Sequence, residues 1–115
     1  MSAPTHAVVP AQVFHAAEYL ADECLARGWS LRELAERIGS LDTPMEVVTW
    51  QFYACCQPDI FMGEDSAWDL QRVLGISATF WLRIEAAYRG ATPEQRAPLS
   101  EEATAFYGLT DEVSR

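Results

Sequence analysis

Cysteine, histidine and paired carboxylates are the side chains in this sequence with chemistry to offer. Cys24, Cys55 and Cys56 are the three cysteines, and His6 and His15 the two histidines. No C-x-x-C pair occurs and neither histidine stands at a metal-ligand spacing from a cysteine, so no metal site is expected. The odd cysteine count argues against a disulfide framework. Cys55 and Cys56 are adjacent, which in a helix turns them ~100° apart and gives at least one of them to a core. A reactive thiolate needs an electropositive neighbourhood, and this stretch offers none. Glu64 and Asp65 stand at an expected helix start, where carboxylates complement the helix dipole. No Ser/His/Asp set, phosphate-binding loop or dinucleotide-binding glycine motif is present. The expectation is a protein without catalytic residues, cofactor or metal.

Charge restricts the partners. All eight basic residues are arginines, against 17 acids, for a net charge of −9 over 115 residues. Non-specific coating of nucleic acid needs clustered basic side chains, and binding to an anionic membrane surface needs the same. Any contact with DNA must come from a local patch working against the overall field. No apolar run reaches the ~20 residues of a membrane span. No leader pattern is visible at the start, so the expected location is cytoplasmic.

The elements that must position these side chains are helical. Residues 1–10 carry Pro4 and Pro10 without periodicity and form a loose lead-in. From Val13 to Arg27 a face of Val13, Ala17, Leu20, Cys24 and Leu25 recurs at helical spacing, and Gly28 stands at a C-cap. Ser30 and Glu33 make a capping box for a helix over 31–38, with Leu31, Leu34, Ala35 and Ile38 inward and Gly39 closing it. Thr43, Pro44 and Glu46 give a second start signal. The run that follows is rich in β-branched and aromatic residues, which would also suit a strand over Glu46 to Tyr53; the start signals favour a helix. A fourth helix is expected from about Asp65 to Leu74, with Ala67, Leu70 and Leu74 inward and Gly75 closing it. Ser77 caps a fifth over 78–89, with Phe80 or Trp81, Ile84, Ala87 and Tyr88 inward. Thr92 with Gln95, and Ser100 ahead of Glu101 and Glu102, open further helical turns. The fold class is all-α: a domain over residues 11–90 of five helices, and a helical tail over 91–115.

Three blocks resemble the lambda-repressor-like helix-turn-helix domain, in the branch of HigA-type antitoxins. They are His15 to Leu20 with Leu25-Ala26-Arg27-Gly28-Trp29-Ser30; Leu31 to Gly39; and Gly63 to Ala67 running on to Leu74-Gly75-Ile76-Ser77 and Phe80-Trp81-Leu82. The resemblance covers about two thirds of the chain. It implies a homodimeric DNA-binding regulator, with a toxin as a further protein partner. Its DNA-contacting candidates are Arg27, Ser30, Arg32, Arg37, Thr43, Thr49 and Gln51.

The departures from that pattern fall where DNA would be read. The first residues of the second motif helix enter the major groove in such domains. Here that helix, Thr43 to about Gln57, holds no basic residue, and Glu46 is its only charge. If Met45, Val48, Phe52 and Cys55 or Cys56 face the core, then Val47, Trp50, Tyr53 and Ala54 point elsewhere. With Phe61 from the following loop, Val47, Trp50 and Tyr53 would make a protein interface, since Trp and Tyr dominate binding hot spots. The other reading makes this helix the centre of a larger core covered by the tail. Arg32 and Arg37 have their own ordinary role, a solvated face paired to Glu36 or Glu33. The rival to DNA reading is therefore a protein-binding module on the same frame; the net charge also permits an acidic DNA mimic.

Overall fold

The computed structural model describes residues 12–39, 43–55 and 62–109, with the backbone alone at 43–46, 52 and 55. Among the described residues six helices follow one another: α1 (Ala16–Ala26), α2 (Leu31–Ile38), α3 (Thr43–Cys55), α4 (Glu64–Leu74), α5 (Ala78–Gly90) and α6 (Glu101–Phe106). Among the described residues no strand forms; one isolated parallel bridge joins Val13 to Arg96. No helix among the described residues is long and apolar enough to cross a membrane.

The starts are set by short polar side chains. Ser30 accepts from the Glu33 amide while Glu33 accepts from the Ser30 amide, both halves of the capping box. Ser77 accepts from Phe80 N–H and Ser100 from Ala103 N–H. His15 caps α1, its Nδ1 accepting the Ala17 amide at 2.9 Å. That cap starts α1 at Ala16, so Val13 lies ahead of the helix. Val13 pairs instead with the tail, donating to Gln95 and accepting from Ala97. Gly39 ends α2 with φ +91°, a backbone that costs a side-chain-bearing residue dearly.

The core is shared by all six helices. Leu20, Leu34, Leu70, Trp81 and Tyr107 are fully buried at its centre. The four inward residues expected on α2 and the three on α4 are buried. On α5 the buried set is Ala78, Trp81, Glu85 and Tyr88, whereas Phe80 and Ala87 are exposed and Ile84 is half-buried. On α1, Leu25 turns out to solvent at 45% exposure.

The tail belongs to the same core. The Tyr107 hydroxyl donates to the Ala17 carbonyl, and Glu18 accepts from the Ser100 amide, fastening α6 to α1. Gln51 on α3 donates to the Tyr107 carbonyl. Thr92 and Gln95 do make their capping contact, but it closes a single turn. Arg96 and Ala97 leave the helical path to pair with Val13, and Pro98 disfavours helix at the residue before it.

Candidate functional site

Helices α2 and α3 would carry any DNA-reading face, and each candidate on them has a definite place. Ser30 and Arg32 are exposed at the start of α2. Arg37 is exposed and lies 4.2 Å over the Trp29 ring. Neither Arg32 nor Arg37 pairs with a carboxylate among the described residues; Glu33 is taken by its capping box. Arg27 is committed to the protein: it pairs with Glu23 at 2.7 Å and donates to the Leu74 carbonyl at the end of α4. Thr49 is exposed on α3, whereas the Gln51 amide is held on the Tyr107 carbonyl. The side chain of Thr43 lies outside the described residues.

The facing of α3 differs from the first expectation. Trp50 and Tyr53 are each 4% exposed and Ala54 1%, all in the core, while Val48 is 54% exposed. Val47 is half-buried and packs against the core. Trp50 and Tyr53 are thus core residues, not interface residues, and the larger-core alternative describes them. They share that core with Ala103 and Tyr107 of the tail, and Gln51 beside them donates to the Tyr107 carbonyl. Phe61 lies outside the described residues.

A different surface stands out at Trp29. On one side Leu25, Trp29, Leu31, Ala105 and Phe106 line an open apolar groove of about 440 Å³, with Ser30 and Glu102 at its rim. On the other side Trp29, Arg37, Arg72 and Val73 border an open depression of about 390 Å³. Three guanidiniums thus gather near one indole, with Arg27 at 5.7 Å from its centre. Arg72 is held in place by the Ile38 carbonyl at 2.6 Å and by Asp69 at 3.3 Å. Arg27 and Arg72 each satisfy a carbonyl at a helix C-terminus, where cations are favoured.

Beneath α1 and α5 lies a buried polar cluster that periodicity did not reveal. The Glu85 carboxylate, 4% exposed, accepts from the Met62 amide at 2.8 and 2.7 Å and from the Tyr53 hydroxyl at 3.1 Å. Burial raises its pKa, opposed by those two hydrogen bonds and by Arg89. His15 packs on Tyr53 at 4.7 Å and on Tyr88 at 4.9 Å. Burial lowers its pKa to about 4, so it is neutral at pH 7. Glu85 anchors the chain where it enters α4, which is a structural duty.

These groups lack the disposition for covalent chemistry. Burial pushes the Cys24 thiol up to about 12, leaving it protonated at neutral pH. The accepting nitrogen of His15 is spent on the helix cap. Among the described residues no group of three His, Cys, Asp or Glu side chains is placed to hold a metal ion. No family model matches the chain, and neither the curated proteins nor the solved structures yield a match.

Leu25 falls on the apolar face that periodicity gives to α1, which reads as core, yet it is exposed. The signal available was that Leu25 directly follows Cys24, so the two cannot both lie at the centre of one face.

Proposed function

We propose that the chain is a small protein-docking module built on a helix-turn-helix-like frame, in which α2 and α3 keep the helix order of such domains without their DNA-reading role. The observation that carries this reading is the outward face of α3. Its described outward positions are Val48 and Thr49, Trp50 and Tyr53 face the core, and its one long amide is tied to the tail. Base reading needs donors and cations at the groove-facing positions, and phosphate contacts need more basic charge than a chain of −9 offers there.

The docking surface in this reading is the groove beside Trp29. An exposed leucine, half-buried Trp29 and Phe106, and a polar rim combine apolar area with the aromatic anchors that dominate protein interfaces.

The test is a photo-crosslinking amino acid at position 25, with one at Arg83, an exposed site on α5, as control. In its native cells the chain should form a discrete protein adduct from position 25 and not from 83, and Leu25→Glu should abolish capture in a parallel pull-down without altering the fold. Crosslinking to DNA, or equal adducts from both sites, would overturn the reading.

A further inference from the structure

Helix α4 carries a row of Glu64, Trp68 and Arg72, each four residues from the next, with Asp65 beside Glu64. All four are exposed, and Trp68, at 58%, is the most exposed large hydrophobic among the described residues. The opposite face, Ala67, Leu70 and Leu74, is buried in the core, so nothing in the packing of α4 calls for a tryptophan outside. Dipole complementarity accounts for Glu64 and Asp65 but not for Trp68.

The row is acidic at one end, aromatic in the middle and basic at the other. Such an order is self-complementary when two copies meet antiparallel about a two-fold axis through the central residue. Rows at i±4 spacing are also the ridges that interlock in the commonest helix–helix packing, with axes crossing at roughly −50°. We propose that this face of α4 pairs with the same face of a second copy of the chain. Trp68 packs against its counterpart, and Glu64 and Asp65 of each copy meet Arg72 and Arg37 of the other.

Charge matches at each end of the pair: two carboxylates against two guanidiniums. Arg37 and Arg72 border one space, and Arg37 has no carboxylate partner among the described residues. Arg72 is already fixed by the Ile38 carbonyl and Asp69, which reduces the ordering needed on association. The two surfaces adjoin at Trp29, over which Arg37 lies, but the pairing of α4 does not rest on the docking groove.

The test is sedimentation velocity over a concentration series, with circular dichroism confirming each fold. The wild type should pass from monomer to dimer, and Trp68→Glu should weaken this by at least about tenfold, the loss expected at a central anchor. Glu64→Arg alone and Arg72→Glu alone should each be monomeric. An equimolar mixture of the two should dimerise, because both charge contacts then join opposite signs. Leu25→Glu should dimerise like the wild type. A wild type that stays monomeric, a Trp68→Glu variant that dimerises as well as the wild type, or loss of the dimer in Leu25→Glu would overturn the proposal. Trp68→Glu decides it even if Arg72→Glu, which loses the Ile38 contact, fails to fold.

Discussion

His15 shows how one side chain can couple this fold to pH. Its Nδ1 must be unprotonated to accept the Ala17 amide, and burial between Tyr53 and Tyr88 disfavours the cation. The pKa falls from 6.5 to about 4 on folding. A depressed pKa means that the unfolded chain takes up the proton first. Its stabilisation is therefore complete above pH 6.5 and is lost as pH falls towards 4, by up to about 3 kcal/mol. Glu85 and Asp22 have raised pKa values and act in the opposite sense, favouring the folded state as pH falls. Urea titrations at pH 7 and 4.5 should show the wild type losing stability on acidification. In His15→Asn, which keeps a capping oxygen and cannot titrate there, that loss should vanish or reverse. An equal acid loss in the variant would remove His15 from the account.

At the scale of the element, α3 is the informative case. Trp50 and Tyr53 are buried in the core that the helical frame shares with the tail, so Trp50→Ala should cost about 3–5 kcal/mol, as large-to-small changes in a core do. A surface tryptophan would cost far less, and thermal unfolding distinguishes the two. The Trp50 indole N–H is buried with no partner among the described residues, so Trp50→Phe should be much milder than Trp50→Ala. The same helix shows where legibility in the sequence stops. The whole of α2 could be read in advance, from the Ser30–Glu33 box to Gly39, because its polar and apolar faces separate cleanly at helical spacing. In α3 almost every side is apolar, so periodicity does not choose a face; contacts with distant residues choose it, Gln51 with the Tyr107 carbonyl and Tyr53 with Glu85. Glu85 escaped for the converse reason. A carboxylate is expected outside, and only the Met62 amide and Tyr53 hydroxyl that meet it make burial tolerable. Thr92 and Gln95 carried a start signal that local sequence could not overrule, since the bridge to Val13 comes from the far end of the chain.

Over the whole molecule, the acidic charge and the placement of the arginines bear on the same question. Arg27, Arg72 and Arg96 each donate to a backbone carbonyl near a helix end, so much of the cationic charge serves the fold. Arg32 and Arg37 remain as exposed cations on α2, and the proposed docking role takes them as too few to hold a duplex against a net charge of −9. The apolar groove at Leu25 and the α4 row at Trp68 are surfaces better suited to proteins. The most direct measurement is fluorescence anisotropy of a labelled duplex from the chain's own upstream region, titrated with the purified protein at low salt against unrelated competitor DNA. No sequence-specific binding is expected. Specific binding that weakens steeply with added salt and is lost in Arg32→Ala would contradict that expectation and restore α2 and α3 as a DNA-reading pair.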